Sequence, residues 1–287
     1  MKIQEQAPAK INLALNILGR RTDGYHELRM VMQSVSLCDT VTVEETGIGF
    51  TLLADGFTVP AGKSSLEQQA AEAFFAAVGR PMPPLTVHLE KTTPAYAGLG
   101  GGSADVAALL RCLRRQYAPE MPVEQLRAIG LTVGSDMPFC VSGGTAMAEG
   151  RGERLTALPA LPDCWIVLCK PEFGIPTPAL FTLADAGTPK NRPDIDGMIR
   201  ALSAGDLDGV AARLCNVFEE FLPEEYHEVF HIKNRLLELG ALNAAMSGSG
   251  PTVFGIFREE TAAKAALTAL KQRYPQTYLA KPVGELV

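Results

Sequence analysis

The chain has 287 residues, of which 47% are apolar and 20% are charged, so it is long enough to bury the core of one large domain or two ordinary ones. Its 26 basic and 32 acidic residues give a formal net charge of −6, which argues against a nucleic-acid partner because phosphate contacts require a basic face. The N-terminal residues lack the apolar core of a signal peptide, and no uncharged apolar run approaches the roughly 20 residues of a membrane span. We therefore expect a soluble globular protein with no membrane partner.

The six cysteines are scattered along the chain and never form a C-x-x-C pair. Several lie in apolar surroundings, such as Cys169 at the end of an apolar run that starts at Trp165. Such positions are typical of buried free thiols in a reducing compartment, and we expect a cytoplasmic protein.

The first half of the chain opens with patterns typical of strands. The alternating apolar positions of a half-buried strand are Ile11, Leu13, Leu15 and Ile17. Asp23-Gly24 then supplies turn residues before a second apolar stretch over residues 30–37. Another alternating run, over residues 85–89, predicts a strand that leads into the loop beginning near Thr92.

Helical patterns lie between and after these strands. Ser64 and Glu67 form a capping box at the start of one pattern, and Gly79 stands where its C-terminal cap belongs. Two further helices are predicted at about residues 103–115 and 123–131.

The second half mixes strands and helices without regular alternation, and a Gly-rich, turn-like segment over residues 143–154 precedes it. The predicted strands cover about residues 165–169, 242–246, 252–257 and 277–280, and a helix covers about residues 259–273. This order favours an α+β fold over a doubly wound sheet. We predict two domains, residues 1–154 and 155–287, with a cleft between them.

The most informative segment is a Gly-rich loop, residues 94–105, which runs from a predicted strand into a predicted helix. Its four glycines let the backbone approach a polyphosphate closely, and the helix start offers unpaired N–H groups to the same anion. The hydroxyl of Ser103 can bind a phosphate or a phosphate-bound Mg²⁺. The loop lacks the Lys of G-x-x-x-x-G-K-[ST], and Asp105 replaces the third glycine of G-x-G-x-x-G. We predict a phosphate-binding loop of another kind.

This loop resembles the phosphate-binding motif of the galactokinase, homoserine kinase, mevalonate kinase and phosphomevalonate kinase (GHMP) superfamily. Residues 7–13, Ala-Pro-Ala-Lys-Ile-Asn-Leu, look like the first motif of that superfamily, and residues 247–254, Ser-Gly-Ser-Gly-Pro-Thr-Val-Phe, look like the third. Residues 21–26, Arg-Thr-Asp-Gly-Tyr-His, and residues 134–139, Gly-Ser-Asp-Met-Pro-Phe, are similar to the branch that phosphorylates 4-diphosphocytidyl-2-C-methyl-D-erythritol. The resemblance extends over essentially the whole chain.

The resemblance implies a two-domain α+β kinase whose active site lies in the cleft between the domains. The N-terminal domain, residues 1–154, is expected to be of the ribosomal protein S5 domain 2 type and to bind ATP. Residues 155–287 are expected to contribute substrate binding. The implied reaction moves the γ-phosphoryl group of ATP, with Mg²⁺, onto the 2-hydroxyl of the cytidine diphosphate-linked substrate of non-mevalonate isoprenoid synthesis. A monomer or homodimer is expected, and the metal ligands are not assigned.

The resemblance also assigns Asp136 as the catalytic base and Lys10 as its cationic partner. A lysine close to a carboxylate keeps that carboxylate ionised and can polarise the substrate oxygen. On residue type alone, Asp136 can equally cap a helix, and Lys10 can equally be a solvated strand residue.

The implied nucleotide-binding residues are Pro94, Ala97, Gly98, Leu99, Gly100, Gly101, Gly102 and Ser103. For the acceptor, the resemblance implies that Tyr25 and Phe181 stack on the cytosine and that His26 hydrogen-bonds it. Aromatic rings can stack on a base, and an imidazole can donate and accept hydrogen bonds. The remaining implied substrate-binding residues are Asn12, Gly248 and Ser249.

The loop departs from the family pattern at a few positions. Thr93 replaces an aliphatic residue, Tyr96 replaces a smaller residue, and Ala104 replaces a frequent serine. None of these changes removes a group that the reaction needs, but Tyr96 bears on how the loop holds the nucleotide. Asp105 is expected in the first helical turn, where a negative charge suits the helix dipole.

Three alternatives stay open. His227-Glu228-Val229-Phe230-His231 satisfies the H-E-x-x-H pattern of zinc hydrolases, but no histidine follows it as a third ligand and its polar face is typical of solvent exposure, so we interpret the motif as accidental. Another GHMP kinase acting on a different alcohol is disfavoured by Tyr25 and His26. A nucleotide-binding regulator without catalysis is disfavoured by Lys10 and Asp136.

Overall fold

The computed structural model describes residues 2–55, 57–58 and 65–287, and over this part of the chain it contains twelve β-strands and nine α-helices. The strands are β1 (Lys2–Arg20), β2 (His26–Glu44), β3 (Phe50–Ala54), β4 (Phe57–Thr58), β5 (Leu85–Glu90), β6 (Thr145–Gly150), β7 (Arg154–Ala157), β8 (Trp165–Cys169), β9 (Cys215–Asn216), β10 (Asn243–Met246), β11 (Val253–Phe257) and β12 (Thr277–Ala280). The helices are α1 (Leu66–Val78), α2 (Gly101–Tyr117), α3 (Val123–Leu131), α4 (Met137–Ser142), α5 (Thr177–Asp185), α6 (Ile195–Ser203), α7 (Leu207–Ala211), α8 (Glu228–Glu238) and α9 (Glu260–Lys271).

Eight of the described strands form one mixed sheet in the order β4-β3-β5-β2-β1-β9, with β6 paired to β2 and β7 paired to β6. The antiparallel strands β1 and β2 form a long ribbon whose register shifts at three points. Residues 40–44 of β2 pair with β5, and residues 28–33 of β2 pair with β6. The ribbon therefore links the strand that precedes the Gly-rich loop to the β6–β7 hairpin.

The middle of β1 is buried on both faces, so the prediction of a half-buried strand was wrong. Helix α2 packs on β1. Ile11 and Leu13 share a buried cluster with Ile166 and Leu168 of β8 and with Phe254 of β11. Strand β1 thus contributes to two buried clusters, since Ala7 and Leu15 belong to the cluster that contains the apolar residues of α2.

That second sheet is antiparallel and has the strand order β10-β11-β8-β12 in the described part of the chain. Helices α8 and α9 pack against its strands. The predicted strands and the predicted C-terminal helix of this half are confirmed to within two residues at each end. Mixed sheets packed with helices confirm the α+β prediction.

Residues 143–154 form most of the β6–β7 hairpin, so the prediction of a turn-like segment was wrong. The glycines lie at the ends of strands: Gly143 and Gly144 precede β6 with φ of +66° and +75°, and Gly152 lies in the hairpin loop. Between them, Ala146 and Ala148 are buried. The glycine content concealed a strand whose side chains are small because it packs closely against β2.

The helix ends are set by capping residues. Ser65 caps α1 by accepting a hydrogen bond from the backbone N–H of Gln68, and Gly79 ends the helix with φ of +70°, as predicted. The predicted capping box of Ser64 and Glu67 was wrong by one residue, because the N-cap is Ser65; Ser64 itself lies outside the described residues. Helix α2 begins at Gly101, two residues before its predicted start, so Asp105 is not in the first turn and that prediction was wrong.

The second half of the chain completes the first sheet. Strand β9 pairs in parallel with β1 through Ala14 and Leu15, and the backbone N–H of Val283 donates to the carbonyl of Ser34. The boundary at residue 154 stays a prediction. None of the described helices combines the length and apolar character that a membrane crossing requires.

Four of the six cysteines, Cys112, Cys140, Cys164 and Cys169, are buried free thiols, as predicted, and Cys38 and Cys215 are half-buried. Burial raises the pKa of the Cys112, Cys140 and Cys164 thiols to about 12. These thiols are therefore structural rather than reactive.

Candidate active site

A cleft of about 1280 Å³ is lined by residues from both halves of the chain. The structure brings all the predicted site residues into this cleft: Lys10, Asn12, Tyr25, His26, Pro94, Ala97, Gly98, Leu99, Gly100, Gly101, Gly102, Ser103, Asp136, Phe181, Gly248 and Ser249. Residues that are far apart in sequence thus share one concave surface, which is the usual form of a small-molecule site.

The two predicted catalytic residues face each other. The Lys10 Nζ atom lies 3.5 Å from the Asp136 Oδ2 atom. Lys10 is only 5% exposed, so it is not a solvated strand residue. Asp136 occupies the N-cap position of α4, but its side chain makes no capping hydrogen bond. The carboxylate is directed to the lysine instead.

Lys10 is held on several sides. Its backbone N–H donates to the carbonyl of Leu99, and its ammonium donates to Asn12 Oδ1 at 2.8 Å. A Cβ atom placed on Gly100 would lie 3.1 Å from the Lys10 side chain, and one placed on Gly248 would lie 3.2 Å from its Nζ atom. The two Gly-rich loops therefore enclose the lysine, and a side chain at either glycine would displace it.

The two Gly-rich loops also bind each other. The Ser247 hydroxyl donates to the carbonyl of Gly98 at 3.0 Å, and the Thr252 N–H donates to the carbonyl of Ala97 at 3.3 Å. Asn216 of β9 donates to the carbonyl of Gly248 at 2.8 Å. Because β9 pairs with β1, the second loop is fixed to the same strand that carries Lys10.

The start of α2 is suited to an anion. Its N-cap is Gly100, with φ of +67° and no side-chain cap, and Gly101, Gly102 and Ser103 line the cleft from its first turn. The first N–H groups of a helix have no partner within the helix, and the dipole places partial positive charge there. The loop and the helix start together offer backbone donors that suit a phosphate, without a lysine of the P-loop kind.

Two of the positions at which this chain departs from the family pattern, Thr93 and Tyr96, lie around this loop. Thr93 is buried and packs against Gly101, where a Cβ atom would lie 3.0 Å from its methyl group. Tyr96 is 86% exposed, with φ of +52°, and lines the cleft from the loop. Thr93 therefore packs against the buried side of the loop, whereas the Tyr96 side chain is mostly exposed to solvent.

Sequence reasoning missed a buried charge cluster beneath the loop. Lys91, at the start of the loop, donates to both Asp39 and Asp105. Asp39 also accepts the N–H groups of Thr92 and Thr93 at 2.6 and 2.7 Å. Burial raises the pKa of Asp105 to about 7, against the lowering effect of Lys91. A signal was available in Asp39, a charged residue at the alternate position between the buried Leu37 and Val41 of β2.

The predicted acceptor residues form an aromatic group at the other end of the cleft. The His26 ring stacks on Phe181 with centroids 4.3 Å apart, and Phe181 meets Phe218 edge-on. The His26 Nε2 atom lies 2.7 Å from Oδ1 of Asp185, a residue that sequence reasoning missed. The Tyr25 ring is half exposed.

Helix α5 connects this aromatic group to the second Gly-rich loop. Phe181 and Asp185 lie one turn apart on α5, and Thr177, one turn before Phe181, shares a hydrogen bond of 2.7 Å with the hydroxyl of Ser249. The position of the aromatic group is therefore coupled to the loop that encloses Lys10.

The H-E-x-x-H segment does not form a metal site. His227 and His231 are exposed on α8, and Glu228 is bound by Arg273 at 2.7 Å and by the hydroxyl of Tyr274. No group of three His, Cys, Asp or Glu side chains among the described residues could hold a metal ion.

Comparison with known proteins agrees with this geometry. The family model of the GHMP kinases N terminal domain matches residues 65–144, and that of the GHMP kinases C terminal region matches residues 198–276. A 4-diphosphocytidyl-2-C-methyl-D-erythritol kinase of Moorella thermoacetica is 41% identical over 96% of this chain and 97% of its own length. A kinase of the same name from Listeria monocytogenes is 39% identical over 99% of this chain and 97% of its own.

Solved structures show the same likeness. A crystal structure of a 4-(cytidine 5'-diphospho)-2C-methyl-D-erythritol kinase matches with a TM-score of 0.82 and 32% identity, covering 98% of this chain and 100% of that one. A homoserine kinase from Cytophaga hutchinsonii matches with a TM-score of 0.76 over 99% of this chain and 95% of that one, and at 17% identity it shows the fold alone. The chain therefore belongs to the 4-diphosphocytidyl-2-C-methyl-D-erythritol kinase family of the GHMP kinases.

Proposed function

We propose that this chain transfers the γ-phosphoryl group of ATP to the 2-hydroxyl of 4-diphosphocytidyl-2-C-methyl-D-erythritol. The observation that carries the proposal is the Lys10–Asp136 pair, 3.5 Å apart, beside an uncapped helix start and in the same cleft as an aromatic group. Relatives about 40% identical over nearly their whole length carry the name of this kinase, which supports the same assignment.

The nucleotide end is built for positioning and charge neutralisation, which are the main requirements of phosphoryl transfer. The backbone N–H groups of the Gly-rich loop and of the first turn of α2 hold the triphosphate. Leu99 and Gly248 contact Lys10 through backbone and close packing, so the lysine has a fixed position beside the γ-phosphate.

The residues present fit a Mg²⁺ ion that is held mainly by the nucleotide. No described cluster of three acidic, His or Cys side chains can hold a metal alone, whereas Mg²⁺ in such sites binds phosphates, water and one or two protein oxygens. The Ser103 hydroxyl, which lines the cleft at the loop, is the protein oxygen we assign to it. When bound, the ion neutralises charge on the phosphates.

Asp136 accepts the proton of the attacking hydroxyl as the new oxygen–phosphorus bond forms. The bond between the γ-phosphorus and the bridging β–γ oxygen breaks, and ADP leaves with that electron pair. Lys10 orients the Asp136 carboxylate before the transfer and stabilises the negative charge that develops on the oxygens during it.

The aromatic end recognises the cytosine. Tyr25 and Phe181 offer ring faces for stacking, and His26 offers a directed hydrogen bond. Its bond to Asp185 fixes which ring nitrogen carries the proton, as in other oriented histidines.

The test is ADP release from ATP and Mg²⁺ with 4-diphosphocytidyl-2-C-methyl-D-erythritol, with mevalonate and homoserine as parallel acceptors. We expect release with the cytidine-linked acceptor alone. ADP release with mevalonate or homoserine instead would support kinase activity but refute 4-diphosphocytidyl-2-C-methyl-D-erythritol as the acceptor. No release with any acceptor, combined with measurable ATP affinity, would favour a nucleotide-binding regulator.

A further inference from the structure

Arg151 is a cation in the cleft that the proposed chemistry does not use. It lies in the loop of the β6–β7 hairpin, is half-buried, and lines the cleft. Its guanidinium carbon lies 4.6 Å from the centroid of the Tyr25 ring. Such a cation–π contact orients a guanidinium and leaves its N–H groups free to donate.

The guanidinium of Arg151 lies near enough to Asp23 to interact with its charge, but it makes no close contact with a carboxylate among the described residues. Within the described part of the chain it forms no ion pair and no side-chain hydrogen bond, and the nearby Asp23 is bound by Arg21 at 3.0 Å. The other arginine that lines the described cleft, Arg20, lies 3.9 Å from Asp185. Of the two arginines that line the described cleft, Arg151 is therefore the one without an ion pair within 4 Å, and its N–H groups are available to a ligand.

The loop that carries Arg151 lies between the two ends of the cleft. Tyr25, on one side, belongs to the aromatic group. On the other side, a Cβ atom on the adjacent Gly152 would lie 3.5 Å from the carbonyl oxygen of Ser135 and 4.0 Å from Asp136 Oδ1. The loop thus lies beside both Tyr25 and the carboxylate of Asp136.

The proposed acceptor must cross this region. If its hydroxyl lies at Asp136 and its cytosine at Tyr25, the diphosphate that joins the two halves of the molecule passes beside the loop. A diphosphate brings negative charge into a cleft of a protein whose net charge is −6 and whose rim carries Asp136 and Asp185. A planar guanidinium binds phosphate oxygens in a bidentate manner, which a lysine does not do.

We propose that Arg151 binds the diphosphate of the acceptor, with the Tyr25 ring holding the guanidinium between the base and the reacting hydroxyl. The inference rests on the proposed function, because it takes the cytidine diphosphate-linked molecule as the acceptor. It assigns to Arg151 a role in acceptor specificity: the residue selects a cytidine that carries a diphosphate over cytidine alone.

The test compares cytidine with cytidine diphosphate by titration calorimetry, with the nucleotide site filled by a non-hydrolysable ATP analogue. We expect the Arg151→Gln variant to lose about 10- to 100-fold in affinity for cytidine diphosphate, in the range of lost charge-assisted hydrogen bonds, and to bind cytidine like the wild type. Arg151→Lys should recover only part of the loss. The KM for the acceptor should rise in parallel, with the KM for ATP unchanged.

Arg154→Gln is the matched control, because it removes the same charge from the same hairpin. Arg154 binds Glu27 at 2.5 Å and does not line the cleft. An equal loss in this control would trace the effect to overall charge and overturn the proposal. An equal loss of cytidine and cytidine diphosphate in Arg151→Gln would overturn it too, since the residue would then only support Tyr25. If the wild-type protein binds neither cytidine nor cytidine diphosphate, the proposal of a cytidine-linked acceptor is refuted, and the role of Arg151 is refuted with it.

Discussion

The two ends of the cleft are built in different ways. At the phosphoryl-transfer end, Lys10 lies in a central strand, is 5% exposed, and is enclosed by backbone atoms of two Gly-rich loops. At the end that we propose to hold the cytosine, called the base end below, Tyr25 comes from a turn, is 52% exposed, and contacts the side chain of Arg151. Backbone fixed by a sheet holds its geometry, whereas exposed side chains exchange rotamers readily.

This difference indicates which end changes when substrates bind. The His26 ring covers one face of Phe181 at 4.3 Å, so a cytosine can stack on that face only after His26 leaves it. No such rearrangement is needed around Lys10 and Asp136, which already lie 3.5 Å apart. We therefore expect the catalytic end to be preorganised and the base end to adjust to its ligand.

The largest effect is expected from Asp136→Asn. The variant keeps the shape of the side chain but cannot accept the proton, so turnover should fall by at least ~100-fold, as for loss of a general base. ATP affinity should stay near the wild-type value, because the nucleotide is held by the loop. Single-turnover kinetics and nucleotide titration measure the two quantities. Asp163→Asn, at an exposed position, is the control, and wild-type turnover in Asp136→Asn would remove this residue from the mechanism.

Gly98→Ala tests whether the two Gly-rich loops act as one rigid unit. A Cβ atom at Gly98 would lie 2.1 Å from the carbonyl oxygen of Ser247, and the residue has φ of +73°. We expect a loss of about 1–3 kcal/mol in the free energy of unfolding, typical of backbone strain, and about tenfold weaker ATP binding. Urea denaturation and nucleotide titration measure both.

Gly102→Ala is the matched control for stability, since a Cβ atom there would meet nothing within 4 Å and its backbone is helical. Its free energy of unfolding should be equal or higher, because alanine favours a helix by about 1 kcal/mol over glycine. Equal stability of the two variants would show that the loops move independently.

The phosphoryl-transfer end could be predicted from the sequence because its parts are contiguous motifs. The Gly-rich loop and the segments around Lys10 and Asp136 are short patterns whose chemistry can be stated without knowing the fold. Lys91 escaped prediction because its partner Asp39 lies 52 residues away, and no local pattern joins them. Arg151 escaped because the Gly-rich hairpin around it resembles a loop in composition.

The fold was predicted well where local signals sufficed and poorly where they did not. Strand Trp165–Cys169 and helix Val123–Leu131 have their predicted bounds, since apolar periodicity and helix-forming residues determine them. The burial of Lys10 and Asn12, between the apolar positions of β1, was missed because Gly100 and Gly248, which enclose Lys10, come from distant segments of the chain. Packing between segments that are distant in the chain produces no periodic pattern of apolar residues in either segment.

Phe181→Leu should affect the base end alone. Leucine keeps an apolar side chain but loses the ring, so the KM for the acceptor should rise about 3- to 10-fold, the value of an aromatic stacking contact. The KM for ATP should not change, which steady-state kinetics with each substrate varied in turn will show. Phe173→Leu is the control, because Phe173 also contacts an aromatic ring but does not line the cleft. A larger effect on ATP than on the acceptor would place Phe181 in the nucleotide site.

The smallest effect is expected from Asp185→Asn, which weakens the hydrogen bond to His26 without removing the side chain. The carboxylate fixes the His26 tautomer, and its loss should raise the KM for the acceptor about 2- to 5-fold, the value of one hydrogen bond. The expected signature is an acceptor KM that rises while kcat stays constant, because the base end contributes to binding and not to proton transfer. A fall in kcat with constant KM would show that α5, which joins Asp185 to Ser249 through Thr177, transmits the state of the base end to the loop around Lys10. In that case the two ends of the cleft would be one cooperative unit, despite their different construction.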